Sequence, residues 1–562
     1  VTLNKNAQLV DWVKQLDLQN LSTSFTTPAW IVSEAQLKEN VSLFTAFTGV
    51  SQHIFYPVKT NPSLTVLQLL ASMEVGADCA SRAEVDLACL AGIKYEWISY
   101  NSPVQDVELC KTLLENGARV VMDDPQAIMA LNNILNLSKI KGRLHLRLNL
   151  PDYGEYAEKN ANQELMAHGH QSSKFGIPVE DLEALLPQIK LPVTGLHVHV
   201  GTQMDNIQSF ETALHQMHEW ASRLKDWGYV IEEINIGGGL GIPFTENDKF
   251  PSIVSWAEAL NNLKKPHFRY FIEPGHALVG NAVALLMQVQ TVKISRGKKW
   301  AITNVGTDQL TKITLLHWPH RILTASGKEL PPGNDAIAGP LCFTGDTLLE
   351  NVSVNGLEKG SPLLLTEAGA YTYSLANRFN GRLSPQWLVL RANGIINQTF
   401  RREDRFENLQ LANHSWNVVK DVKEPQTVSV EKVHRLSSGY LRETSANDSF
   451  SYVSAEKSSA NSYTFEVLTT SAVDFVSMPF FIRIIGDAAI VAVLHQDGFD
   501  TKKQSVWGRR LVMDCFKKIP SNVKLRFTLS LSELICAADY NTRLLRFETS
   551  CGNCVGSLVV VY

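Results

Sequence analysis

A lysine closes the apolar, aromatic run FYPVKTNP at residues 55–62, three glycines follow a strand-like run in NIGGGLGIP, and a glutamate ends another such run in FIEPGH. A lone lysine at a strand end ordinarily snorkels to solvent. Held in an apolar wall, however, Lys59 would lose charge to desolvation and become able to attack an aldehyde. Gly237, Gly238 and Gly239 have no Cβ, so successive backbone N–H groups can approach and cradle a phosphate, although such a turn by itself is as readily just a tight turn. Glu273 suits a hydrogen bond to a protonated ring nitrogen, or a plain pairing with a surface cation. Taken together, a lysine, a phosphate cradle and a carboxylate meet the needs of pyridoxal 5′-phosphate, whose aldehyde bonds the lysine and whose protonated ring is an electron sink.

Something must hold these groups at one place. Eight short apolar runs, HIFYPVK, EVGADCAS, WISYNS, RVVMDD, RLHLRLNL, TGLHVHVG, EEINIGG and RYFIEPG, follow one another with helix-like or loop segments between. Several are nearly continuous in apolar residues, as strands covered on both faces are. Segments such as SFETALHQMHEWASRLKDW repeat apolar residues at three- and four-residue spacing. The alternation predicts an α/β fold with a closed (β/α)8 barrel. Lys59, Asp78, His197, His199, Gly237 to Gly239 and Glu273 then fall at the C-terminal ends of strands, the face where such barrels carry chemistry.

The remaining texture sets the domain plan. At 562 residues the chain exceeds what one core usually supports, roughly 250–300 residues. Residues 1–34 are expected to join a β-rich domain, 35–280 to form the barrel, 281–412 to form the β domain, and 413–562 to be an α+β extension. Within the extension, the serine-rich stretch from His434 to Tyr463 predicts a long loop, and YTFEVLTT, AAIVAVL and GSLVVVY predict strands. With 52 basic and 56 acidic residues and no basic block, neither nucleic acid nor a membrane surface is an expected partner. The most apolar segment, VDFVSMPFFIRIIGDAAIVAVL, is interrupted by Pro479, Arg483, Gly486 and Asp487 and does not make an apolar span of about 20 residues. No signal peptide is recognised at the start, and eight cysteines with a single C-x-x-C, Cys551 to Cys554, suggest free thiols in a reducing cytoplasm rather than a disulfide framework or a metal site.

From about residue 25 to 412 the chain resembles the fold type III pyridoxal-phosphate decarboxylases, the group of diaminopimelate, ornithine and related basic amino-acid decarboxylases. The resemblance is carried by YPVKTNP, ADCASRAEVDLA, SKFG, GLHVHVGTQ, NIGGGLGIP, EPGH, GPLCFTGD, GAYTYSLANRFNG and FRREDRFENL, in that order. It implies that Lys59 carries the cofactor, His199 stacks on its ring and Glu273 meets its ring nitrogen. Asp78 also joins the cofactor site, while Gly237, Gly238, Gly239, Thr202 and Tyr371 hold its phosphate. Cys342 matches a thiol that, in the family, crosses a dimer interface into the neighbouring barrel and helps return a proton to carbon, which implies a homodimer with shared sites.

Three positions depart from the family. His276 stands where EPGR normally brings a phosphate-binding arginine. Lys312 falls near the arginine that holds a substrate carboxylate in diaminopimelate enzymes, and a lysine cannot grip a carboxylate as a fork. Phe343, in CFTGD, replaces the acid that binds a distal ammonium. Lys312, Phe343 and Asp346 are assigned to the substrate, with His317 and His320 as further cations at the mouth. The expectation is a homodimeric decarboxylase for an amino acid whose far end is not a free amine, N-citrylornithine of siderophore (rhizoferrin-type) biosynthesis being the specific candidate. Diaminopimelate or ornithine decarboxylation is the alternative, and the rivals are a racemase on the same barrel and a non-catalytic regulatory homologue.

Overall fold

The computed structural model describes residues 9–150, 173–245, 248–400, 426–436, 448–459, 461–471, 478–498, 507–515, 524–531, 535–536, 541–550 and 554–561. Two compact units divide the chain, residues 1–402 and 403–562.

In the first unit, strand β1 (Ala29–Ser33) leads directly into helix α1 (Glu34–Thr48). Ser33 ends the strand and caps the helix, its hydroxyl accepting the Gln36 N–H at 3.2 Å. Eight parallel strands follow: β2 (Phe55–Pro57), β3 (Gly76–Cys79), β4 (Ile98–Asn101), β5 (Arg119–Met122), β6 (Arg143–Asn149), β7 (Val193–His197), β8 (Glu233–Asn235) and β9 (Arg269–Phe271). Each pairs with the next. The ring closes where the Phe55 N–H donates to the Ile272 carbonyl at 2.8 Å, beside a parallel bridge between Ile54 and Ile272. All eight runs read from the sequence are thus strands of one barrel.

Charged residues seal the N-terminal end of this barrel. Arg119, the first residue of β5, donates to both oxygens of Glu233, the first residue of β8, at 2.8 and 3.1 Å. His145 Nε2 lies 2.8 Å from Glu233 Oε2, and Arg269 Nη2 lies 3.0 Å from Oε1. Burial works against the Glu233 carboxylate, yet His145 and Arg119 hold it well below the usual range. A buried carboxylate gripped by several cations in this way is a structural floor.

β1 itself lies in a second sheet, between Val283–Ser295, antiparallel to it, and Gln386–Leu390, parallel to it. That sheet continues through Lys298–Thr303, Pro332–Ala338 and Thr347–Val352 on one side and Ile396–Phe400 on the other. The closing motif FRREDRFENL runs from Phe400 into residues outside those described.

The second unit is an antiparallel sheet in the order Gln426–Val428, Asp448–Ser459, Ser462–Ser471, Lys524–Leu531, Asn541–Thr549, Cys554–Val561, Trp507–Cys515. Helix Met478–Gln496 joins its core, Phe481 lying 5.9 Å from Phe547 between ring centroids. Two expectations are corrected here. AAIVAVL is the C-terminal part of this helix, because an apolar run buried all round has no period that separates strand from helix. The stretch expected to be a loop between His434 and Tyr463 holds the strand Asp448–Ser459, whose Phe450, Tyr452 and Ala455 are buried while serines occupy other positions. Among the described residues no helix is long and apolar enough to cross a membrane.

Candidate active site

The C-terminal strand ends open into a cavity of about 450 Å³ whose walls include Lys59, Arg147, His199, Thr202, Glu273 and Tyr371. Lys59 sits in the single 3-10 turn Val58–Thr60 that follows β2. Its Nζ is 2.8 Å from Oδ2 of Asp78, a buried residue of β3. Burial alone would lower the lysine's affinity for its proton, but Asp78, then Tyr371 and Glu273, hold it above the usual lysine value. The expected neutral lysine in an apolar wall is therefore replaced by a charged one beside a carboxylate, since the buried acid outweighs desolvation. Asp78 is itself pushed up to about 6 by burial and by Glu273, against the pull of Lys59.

Glu273 is held from two strands. Asn235 Nδ2, on β8, donates to Oε1 at 2.7 Å, and His197 Nε2, on β7, lies 3.2 Å from Oε2. Burial raises the Glu273 carboxyl above its ordinary value. His199 Nδ1 accepts the Gly238 N–H at 3.0 Å, so a proton on the neutral ring resides on Nε2. Gly237 has φ +65°, and a Cβ there would lie 2.4 Å from the Val198 carbonyl oxygen. At Gly238 a Cβ would lie 1.9 Å from the Glu273 carbonyl oxygen. Only glycine lets this turn approach the strand ends so closely.

Tyr371, at φ +53°, donates its N–H to the Thr60 carbonyl at 2.9 Å, which ties its loop to the Lys59 turn. Its ring lies 4.9 Å from that of His276, which is buried, and burial pushes the His276 imidazole well below the ordinary histidine value. This donor set fits pyridoxal phosphate. Lys59 is 44% exposed toward the cavity, the glycine turn leaves no room for side chains, and Asp78 Oδ1, Thr60 Oγ1 and His276 Nε2 are buried without a hydrogen-bond partner among the described residues.

Six residues predicted to meet the substrate do not line this cavity. Cys342 is exposed, its N–H donating to Asn380 Oδ1 at 2.9 Å. Beside it, Phe343 is 50% exposed and lines a separate cleft with Leu315, Leu341 and Phe379. Neither lines the Lys59 cavity. Asp346 is corrected from substrate contact to loop anchor: it is buried, Oδ1 accepts from Thr307 N and Oγ1 at 2.6 and 3.1 Å, and Oδ2 accepts from Leu341 N at 2.7 Å. Lys312 and His320 are likewise not at the mouth but buried, whereas His317 is exposed.

Other wall residues were not anticipated. Arg147 on β6 donates to Asn101 Oδ1 at 3.2 Å and stands 4.6 Å over the Phe175 ring. The signal was present in RLHLRLNL, where His145 and Arg147 share one face at two-residue spacing. Phe175 belongs to the quoted motif SKFG, and Trp318 completes the wall.

The family model described as "Pyridoxal-dependent decarboxylase, pyridoxal binding domain" matches residues 34–280. Diaminopimelate decarboxylase of Aquifex aeolicus is 29% identical over 400 residues, 70% of this chain and 93% of that protein. The enzyme of that name from Zymomonas mobilis is 28% identical over 408 residues, 71% of this chain and 95% of its own length. Among solved structures, diaminopimelate decarboxylase from Methanocaldococcus jannaschii superposes with a TM-score of 0.63 at 25% identity, covering 72% of this chain and 94% of that one. Barrel, second sheet and family match agree: residues 34–280 match a pyridoxal-binding domain, and about 70% of the chain is similar in sequence and fold to pyridoxal-dependent decarboxylases.

Proposed function

We propose that this chain decarboxylates an amino acid whose distal end carries no free ammonium, with N-citrylornithine as the specific candidate. Lys59 would anchor the cofactor covalently, Glu273 would serve its ring nitrogen and His199 its ring, and Gly237 to Gly239, Thr202, Tyr371 and His276 would hold its phosphate. Bound there, pyridoxal phosphate supplies an electron sink for the pair left when the carboxyl departs as CO2. Asn235 and His197 orient the Glu273 carboxylate. Asp78 holds Lys59 in place and keeps it protonated until the site is filled.

Cys342 returns the proton to carbon. Since it is exposed and absent from the cavity of its own chain, this role calls for a homodimer in which each Cys342 enters the partner's barrel. Cys79, Cys89, Cys110 and Cys342 are free thiols, which suits the cytoplasm.

The observation that carries the substrate reading is the cleft beside Cys342. Phe343, Leu315, Leu341, Phe379, Asn377 and three threonines line it, and no acid is among them. A distal ammonium brought there would be desolvated without a counter-charge, a loss of several kcal/mol. An amide-linked arm packs against such a wall. The test is CO2 release from N-citrylornithine, ornithine, lysine and diaminopimelate under one set of conditions. A higher kcat/KM on a free diamino acid than on N-citrylornithine would sink the substrate reading and leave the decarboxylase intact. Diaminopimelate is the second reading, favoured by the names of the relatives.

A further inference from the structure

Three basic side chains, Lys312, His276 and His320, are buried around the Phe244 and Trp318 rings, with no acid of their own among the described residues. Lys312 is 0% exposed, its Nζ donates to the Ala370 carbonyl at 2.7 Å, and the Phe244 and Trp318 rings lie 5.0 and 5.3 Å from it. His276 packs 5.0 Å from Trp318, and His320 packs 4.9 Å from Phe244. Both imidazoles leave Nε2 buried without a partner among the described residues. The nearby carboxylate, Glu367, is already paired with Arg321.

The contrast with other buried cations is what calls for an anion. Arg119 has Glu233 and Arg321 has Glu367, whereas Lys312 makes no ion pair among the described residues. An ammonium enclosed by two aromatic rings and one carbonyl is poorly compensated. Trp318, beside Lys312 and His276, and Tyr371, beside His276, are themselves cavity walls, and Ala370 immediately precedes Tyr371. Lys312 therefore stands one residue away from Tyr371 through its bond to the Ala370 carbonyl.

We propose that Lys312, flanked by His276 and His320, is the cationic half of the cofactor's phosphate subsite, opposite the N–H groups of the Gly237–Gly239 turn. The proposal rests on reading the cavity as the pyridoxal phosphate site. It reassigns Lys312, which the sequence placed with the substrate's carboxylate. The chemistry, a buried cation meeting an oxyanion, is common to both sources, and phosphate is favoured because Lys312 bonds the carbonyl of Ala370 and His276 packs on Tyr371, the residue assigned to the phosphate.

Binding of pyridoxal phosphate and of pyridoxal, which lacks the phosphate, to cofactor-free full-length protein tests this without any turnover. Lys312→Met is expected to weaken pyridoxal phosphate at least about tenfold while changing pyridoxal less than about twofold. Equal loss for both ligands would make Lys312 structural and overturn the proposal. So would unchanged cofactor affinity with a raised substrate KM, which would return Lys312 to the substrate. Wild-type protein that binds neither ligand would bring down the cofactor reading itself. Should the variant fail to fold, the ³¹P resonance of cofactor bound to wild-type protein decides: a signal invariant between about pH 6 and 8 supports a phosphate held against a cation, and one titrating like free phosphate overturns it.

Discussion

Lys59 and Lys312 show one residue type driven in opposite directions by its surroundings. Lys59 has Asp78 at 2.8 Å and stays charged; Lys312 has only a carbonyl and two rings, and burial lowers it to about 7 despite the more distant Glu367. Asp78→Asn should therefore let burial dominate at Lys59. The rate at which cofactor absorbance develops should shift to lower pH by about one unit or more, and an unchanged profile would remove Asp78 from control of the lysine. Lys59→Ala should abolish both that absorbance and the lysine adduct trapped by borohydride. For Lys312 the folded affinity for protons lies below the unfolded one, so its contribution to stability is full above about 10.5 and is lost as pH falls toward about 7. Cofactor-free Lys312→Met should then melt above wild type near neutrality, with the gap in Tm closing as pH rises to 10. A gap that widened instead would contradict the burial argument.

At the scale of elements, the barrel places function at one end and rigidity at the other. Gly238→Ala forces a Cβ to 1.9 Å from the Glu273 carbonyl oxygen, so the turn must move. Cofactor affinity should fall at least about tenfold, with a loss of about 1–3 kcal/mol in stability. Glu233→Gln strips the floor of its carboxylate, and urea melts should register roughly 3–5 kcal/mol with cofactor affinity retained. All eight barrel strands were legible because buried parallel strands are short apolar runs, and Lys59, Gly237 and Glu273 stand at or just beyond their ends. Arg147 was harder to see, since its role depends on which face of β6 turns inward. Asp346 was misread because a carboxylate that braces two loops looks, in sequence, like one that binds a ligand. The helix Met478–Gln496 defeated pattern reading since its apolar residues fall on every face.

For the whole molecule, the exposure of Cys342 and Phe343 predicts a site completed by a second copy. Mixing Lys59→Ala with Cys342→Ala protein should restore part of the activity through heterodimers bearing one intact site, whereas confirmed subunit exchange without recovery would place Cys342 outside catalysis. A chain ended after Ala412 should still bind pyridoxal phosphate, since every proposed cofactor contact precedes it; loss of binding in a folded dimer would give the second unit a direct role. The bridge from Ile54 to Ile272 carries a consequence for biogenesis. A ribosome releases β2 long before β9 exists, so the nascent chain carries an open sheet with an unsatisfied strand on its first edge until the last strand arrives. Such an edge invites pairing with other chains. Closure of that gap, a contact of very long sequence separation, should set the pace of refolding and the window in which a chaperone is needed.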